Sequence, residues 1–513
     1  MATYTYPGVY IQEIPSGQHS ITGVATSIAA FIGWSNQGPV NRAVLVESWP
    51  QYQAIFGGML PGVYLGYAVY QFFLNGGSQA YIVRLVHTDA VTASNSVGGL
   101  SLSANNPGAW GNSLNVTISN VNTTNNTFNL QVTQTVGNQT QVLENYTNLA
   151  ITSNSPLFAP TVINNDSNYI TTPPPTGAPP YTIPLPTAAA GVTLNGGTAT
   201  TTGNDGATLT PDTSNFETQL TSTTSGYALL AGLPIFNILC VPGETNAGIV
   251  SGMQSFVATH RAFLIVDSDQ LAKVGGGGAS DLAVNGPSDS TGATLVNQFA
   301  DNSAFYFPWV LAPDPQAGFR PALFPPCGFV AGIYAATDAS SHVWKAPAGI
   351  LASLTGALGL QHNLTDLQNG DVNILGVNCL RQFRAFGNVV WGARTIAGSD
   401  ALGSQFKYVP IRRFTLYLES SLYEGTQWAV FEPNDETLWG QIRLAVGSFL
   451  QGLFLLGAFA GTSPQQAYFV KCDAENNPPA SVALGVVNIL VGFAPLYPAE
   501  FVVIQIQQIA GQA

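Results

Sequence analysis

Charge is what this 513-residue chain has least of. Asp, Glu, Lys and Arg together make up 8% of it, against roughly 25% in an average soluble domain, while its hydrophobic share of 46% is ordinary. So weakly solvated a surface suits a subunit covered by copies of itself, or an extracellular protein coated with Thr, Asn and Ser, better than a free monomer. Basic residues are scarcer still. With 14 Lys plus Arg, a net charge of −13 and no basic cluster, nothing in the chain tracks a phosphate backbone, which excludes nucleic acid as a partner. Cys240, Cys327, Cys379 and Cys472 lie far apart without paired spacing, so they read as buried thiols and not as a disulfide frame or zinc site. Met1-Ala2-Thr3-Tyr4 opens with neither the basic nor the apolar stretch of a signal peptide, so assembly in the cytoplasm is expected. The least interrupted apolar run, Ala445 to Ala460, is roughly 16 residues, short of the ~20 that cross a bilayer, and no direct membrane insertion is expected.

Catalytic signatures are missing as well. His19, His87, His260, His342 and His362 are scattered, and no Gly-x-Ser-x-Gly elbow is present. The run Gly275 to Gly278 follows Lys273 instead of preceding Gly-Lys-Ser/Thr, so it is no P-loop, and no dinucleotide fingerprint follows the first strand. Asp267 and Asp269 end a parallel-type strand, where α/β enzymes keep carboxylates, but no partner set accompanies them and loop capping is the simpler reading. Arg412-Arg413, near Glu419, Glu424 and Glu432, reads as ion pairing and not as a substrate clamp. No catalytic residue, cofactor or metal is therefore expected.

What is present is an alternation of strands and helices. Tyr4 to Ile14, bracketed by Pro7 and Pro15, reads as an edge strand or arm, with Ser16 to Gly23 as its polar tether. Ala29 to Trp34, Ala43 to Val46 and Ala80 to Val86 read as strands, and Leu65 to Asn75 as a helix stopped by Gly76-Gly77. Composition changes near Ser119, and to about Ser225 Thr, Asn, Ser and Pro dominate, with a Pro-rich extended loop at 173–186. That stretch looks like a β-rich insertion in an α/β host. Alternation resumes with Ile235 to Val241, a helix through Ile249 to Ala258, Ala262 to Val266 and Phe305 to Leu311. Then come two helices. Phe414, Leu418 and Leu422 mark the face of the first; after a stop at Phe431 to Asn434, with Asn434 as N-cap, the second runs from Leu438 to Ala460, apolar on nearly every side and on the order of 39 Å long. Ala467 to Cys472, Val486 to Phe493 and Phe501 to Gln507 read as late strands. A terminal strand at each end, reached through a polar or Pro-marked tether, is the pattern of strand addition between subunits, or of two strands folding back on their own domain.

Several stretches, in this order, resemble the sheath proteins of contractile phage tails and related extracellular injection systems. They are Tyr6 to Gly17, Ala30 to Gly33 with Gly38-Pro39-Val40, Pro107 to Asn112, Phe305 to Trp309, Pro325 to Gly328, Val343 to Ala348, Trp391 to Thr395, Arg412-Arg413, Phe431 to Asn434 and Ala494 to Phe501. The resemblance covers roughly 4–118 and 228–509 and omits the insertion. It implies a mixed α/β, multidomain fold: a discontinuous inner domain of residues 1–90 and 343–513, a middle α/β domain of 91–118 and 228–342, and an outer β insertion of 119–227. It also implies that Val9, Tyr10, Ile11 and Ile14 at one end, and Val502, Ile504 and Ile506 at the other, add strands to neighbouring copies. Ala467, Phe469, Val486 and Ile489 would mark the receiving strands, and Asp435, Glu436, Trp439 and Arg443 a helix facing an inner tube. Expected partners are copies of the chain itself, an inner tube protein, and baseplate and cap proteins. An extracellular adhesin or surface-layer protein is the competing reading, and a hydrolase using Asp267 a weaker one.

Overall fold

A computed structural model describes residues 19–137, 139–195 and 201–505. Val9, Tyr10, Ile11, Ile14 and Ile506 lie outside them. The chain forms two compact units, one of Met1–Val24 with Arg413–Ala513 and one of Ala25–Arg412. The fold is mixed α/β and multidomain, as expected.

In the larger unit the strands are β1 (Ala29–Trp34), β2 (Val44–Val46), β3 (Ala80–Leu85), β4 (Ser94–Val97), β5 (Leu100–Ala104), β6 (Leu114–Asn122), β7 (Thr127–Val136), β8 (Gln139–Ala150), β9 (Ile170–Thr171) and β10 (Ala189–Thr193). After these come β11 (Ile238–Cys240), β12 (Phe263–Asp267), β13 (Ser303–Phe307), β14 (Val310–Asp314), β15 (Arg320–Phe324), β16 (Gly359–Leu360), β17 (Val377–Phe383) and β18 (Gly387–Val390). Eight of them make one sheet in the order β18-β17-β13-β12-β11-β1-β3-β2, parallel except at its two outer strands. Every residue of β1 is buried, as a strand covered on both faces requires, and its run Ala-Ala-Phe-Ile-Gly-Trp has no polar break. Alternate residues serve opposite faces. Ala30, Ile32 and Trp34 share a core with Leu239, Leu264 and Phe305, roofed by Val250 and Met253 of the helix Ala247–Thr259.

On the opposite face Phe31 meets Phe72 edge-on at 5.4 Å, and the Tyr306 and Tyr334 hydroxyls are 2.7 Å apart. Phe72 belongs to the helix Tyr64–Leu74 and Tyr334 to the helix Cys327–Ser341. These two helices touch through Gly328 and Gly332: a Cβ on Gly332 would sit 2.6 Å from that of Asn75, and one on Gly328 would strike the Ala68 backbone. Four-residue glycine spacing lets the helices approach this closely; any larger side chain would force them apart.

A second core, containing Ala93, Leu102, Val116, Leu130 and Ile163, lies between the four-stranded sheet β10-β6-β7-β8 and the small sheet β4-β5-β9. The chain therefore divides differently from the sequence-based expectation. The β-rich module takes in β4, β5 and β6 from before residue 119, and β1, β3, β17 and β18, expected in the inner domain, share a sheet with β11 to β13. Parallel neighbours are joined by long crossovers, so local pattern marks a strand without naming the strand beside it.

All four cysteines are free and buried, and among the described residues no helix is long and apolar enough to cross a membrane.

Candidate inter-subunit surface

The smaller unit is built on the helix Val409–Gly425, which enters it at Arg413. Phe414 and Leu418 are buried on that helix, at the spacing of one face. Residues 19–24 lie along it as a strap. His19 stacks on Trp428 with ring centroids 3.9 Å apart, the Val24 N–H donates to the Ser421 hydroxyl at 3.2 Å, and Ile21 fits over Gly425 where a Cβ would meet it at 2.5 Å. Gly23 sits against the Tyr417 hydroxyl with no room for a side chain. Residues 19–24, the part of the expected tether that is described, are thus anchored in the unit that carries the C-terminal end.

The second helix runs over Glu436–Leu455, 20 residues or ~30 Å, shorter than expected. Asp435, not Asn434, is its N-cap, accepting from the Thr437 and Leu438 N–H groups. Asn434 instead accepts from the Trp439 indole at 2.8 Å and donates to the Val486 carbonyl at 3.0 Å. The helix also has two faces. Leu438, Ile442, Val446, Leu450 and Leu453 are buried, whereas Gln441, Leu444, Ser448 and Leu455 are exposed. Leucines on the open face made it read as apolar all round. Of the expected tube-facing residues, Asp435 and Glu436 are exposed and Trp439 is buried. Arg443 pairs with Glu436 at 2.6 Å and donates to the Cys472 carbonyl.

Next to this helix lies a sheet that among the described residues has two strands, β19 (Tyr468–Lys471) and β20 (Leu490–Phe493), antiparallel with Phe469 opposite Gly492. Its anchors are aromatic: Phe414 lies 5.5 Å from both Phe459 and Phe493, and Phe459 5.8 Å from Tyr468. Asn476 and Asn477 close the connection. The Asn488 N–H donates to the Asn477 side chain at 2.6 Å, and the Asn488 carbonyl accepts from both amides. Those bonds occupy backbone groups a ladder would use, so β20 starts at Leu490 and the expected receiving residues Val486 and Ile489 fall in the loop before it. Ala467 is buried at the end of the short helix before β19, its carbonyl accepting from Ala494 at 2.8 Å. No residue of either strand is buried, and Phe469 is 54% exposed. Two strands with so little cover are marginal in water. Farther on, Phe501, Val502, Val503 and Ile504 form no described secondary structure and are 71–81% exposed.

In the larger unit, Asp267 is a capping carboxylate. Its two oxygens accept from Gly243 N–H at 3.0 Å and from Cys327 N–H at 2.7 Å, joining the end of β12 to the first turn of the helix Cys327–Ser341. Among the described residues no group of His, Cys, Asp or Glu could hold a metal. Glu244 is buried near Asp212, accepting from the Asp212 and Asn246 N–H groups. Burial first, then the Asp212 charge, pushes its pKa up to about 8, and burial pushes Asp267 up to about 6. Both carboxyls hold protons in the fold at pH values where the unfolded chain has released them. Stability therefore falls as pH rises from the ordinary Glu value of 4.5 toward 8. The Tm is expected to drop by about 5 °C or more between pH 5.5 and 8, and Glu244→Gln to remove most of that slope in a thermal melt series. An unchanged slope would locate the protons elsewhere.

Comparison with known proteins points to the smaller unit. Residues 402–509 match the phage tail sheath C-terminal domain, a stretch holding both helices and both strands just described. The tail sheath protein of Vibrio phage KVP40 is 26% identical over 155 residues, 30% of this chain and 22% of that relative, so the likeness spans under a quarter of its length. In fold the chain is similar to the sheath of an extracellular contractile injection system, PVC, in its contracted state, with a TM-score of 0.59, 20% identity and 99% of each chain covered. A sheath tail protein from Listeria innocua gives a TM-score of 0.61 at 14% identity, covering 93% of this chain and 96% of that one.

Proposed function

We propose that this chain, which carries the phage tail sheath C-terminal domain over residues 402–509, is the repeating subunit of a contractile sheath. It polymerises helically around an inner tube, and the polymer shortens to drive the tube through a target envelope. The observation that carries this reading is the two-stranded sheet β19-β20, with no buried residue of its own, in a unit that also anchors residues 19–24. Strands added from adjacent copies would complete it: the N-terminal arm with Val9, Tyr10, Ile11 and Ile14, and the C-terminal arm with Val502, Ile504 and Ile506. Ala467 and Phe469 mark one edge of the receiving sheet, and Val486 and Ile489 the approach to the other.

Strand-to-strand hydrogen bonds tolerate rotation about the tether at 496–498 and about the stretch that joins the N-terminal arm to the anchored strap of residues 19–24. Copies thus stay linked while their bodies repack between two stable arrangements, and the work comes from new subunit contacts instead of a nucleotide. Asp435, Glu436 and Arg443, at the start of the long helix of the smaller unit, lie nearest the tube protein. The β-rich module lies on the outside of the filament. Baseplate and cap proteins close the two ends, in a phage tail or tail-like particle assembled in the cytoplasm. Electron microscopy of the purified chain tests this: striated tubes in two lengths are expected, whereas a flat lattice or single particles would end the reading.

A further inference from the structure

We propose that the cleft where the β-rich module meets the host sheet binds a saccharide carrying one carboxylate. This stands apart from the sheath reading and holds whether or not the chain polymerises. The cleft has a volume of about 380 Å³, within the ~300–1,000 Å³ of small-molecule sites, and it lies at a junction of two structural layers, where such sites concentrate. Gln37 and Arg42, from the loops between β1 and β2, line one wall; Asn106, Trp110, Asn168 and Tyr169 of the module line the other.

The chemistry of these walls is selective. Among the described residues no carboxylate lines the cleft, although the chain holds 27 Asp plus Glu. Its one cation, Arg42, is exposed and makes no ion pair or hydrogen bond among the described residues. Around it, amides and a tyrosine hydroxyl offer donors and acceptors side by side, the mixed pattern that sugar hydroxyls require. The Trp110 indole N–H is closed off from solvent and has no acceptor among the described residues, so the ring offers the cleft its apolar surface and not a donor. Two aromatic rings give apolar area to the C–H face of a pyranose. An apolar ligand would leave the amides unpaired, and a polyphosphate would call for more than one cation. A single guanidinium matches a single carboxylate, in fork-to-fork geometry.

Saturation-transfer NMR on the purified full-length chain tests this with glucuronate, glucose and acetate as probes. Glucuronate should bind in the millimolar range, about tenfold more tightly than glucose, with no measurable acetate binding, because a charge-assisted pair is worth about a decade. Arg42→Ala, which removes no hydrogen bond or ion pair among the described residues, should bring glucuronate down to the glucose level. Absence of glucuronate binding at 20 mM or so would overturn the proposal, as would acetate binding equal to glucuronate or an Arg42→Ala chain with unchanged preference.

Discussion

A chain lacking residues 500–513 is expected to stay folded and monomeric and to form no tubes, and a chain lacking residues 1–14 to behave the same way. Magnitudes support so sharp an outcome. Phe501, Val502, Val503 and Ile504 are all largely exposed in the single chain. In an added strand alternate residues face one way, so Val502 and Ile504 are buried together, at about 1.5–3 kcal/mol each, and supply roughly 3–6 kcal/mol per junction. Ladder hydrogen bonds add to this, and the cost of association, about 4–15 kcal/mol, is of the same size. Removing one arm therefore turns a favourable junction into an unfavourable one. The monomer should barely change, because none of the four side chains is buried in it. Sedimentation and microscopy would report assembly, and circular dichroism the fold. Full-length tubes that still contract after either deletion would sink the arm reading; a chain that no longer folds would show that the tail completes its own unit.

The local pattern carried some elements through to the structure and could not carry others. Ala29 to Trp34 reads as a buried strand because an unbroken apolar run of that length suits a strand covered on both faces, and all six residues are buried. The helix Tyr64–Leu74 was legible from spacing and from Gly76-Gly77 behind it. Sheet order was not legible, since β1 lies beside β11 across some two hundred residues of intervening chain. The start of the β-rich module was missed at β4 and β5, whose polar Ser-Asn-Ser-Val and Leu-Ser-Leu-Ser-Ala look like loop. A signal was available there: Gly98-Gly99 between alternating segments, both at positive φ (58° and 90°), is the mark of a tight hairpin. Of the candidate surface, β19 was legible in the stretch Ala467 to Cys472, while the expected end strands lie outside the described residues or, at 501–505, form no described strand. The exposure of Leu444 and Leu455 was not legible, because hydropathy alone does not tell a leucine facing a partner from one facing the core.

Arg84→Met is expected to lower stability by about 3 kcal/mol or more and to loosen the β-rich module from its host sheet. Arg84 stands on β3 and is 1% exposed, yet among the described residues no carboxylate forms an ion pair with it. Its guanidinium instead donates to three carbonyls: Ser35 at 2.7 Å and Gly38 at 2.7 Å, both beyond the end of β1, and Pro107 at 3.0 Å in the Asn-Pro-Gly-Ala-Trp-Gly-Asn turn of the module. Burial lowers its pKa to about 10, with the Asp205 charge opposing, so it keeps its proton at neutral pH. A planar fork reaches three diverging acceptors at once, which an ammonium on a flexible stem does less well. The same turn is held from its other side, where Ala109 N–H donates to Asp205 at 2.8 Å and the Asn112 amide exchanges hydrogen bonds with the Gly203 backbone. Methionine fills the volume but strands all three carbonyls, each unmade bond costing about 1–3 kcal/mol; Arg84→Lys recovers part of one and should fall between. Hydrogen exchange separates a loosened joint from general unfolding. Amides of β5 and β6 should gain exchange first, while those of β12 and β13, deep in the parallel sheet, stay protected. Equal loss of protection in both places, or an unchanged Tm, would mean that Arg84 does not hold the module to the sheet.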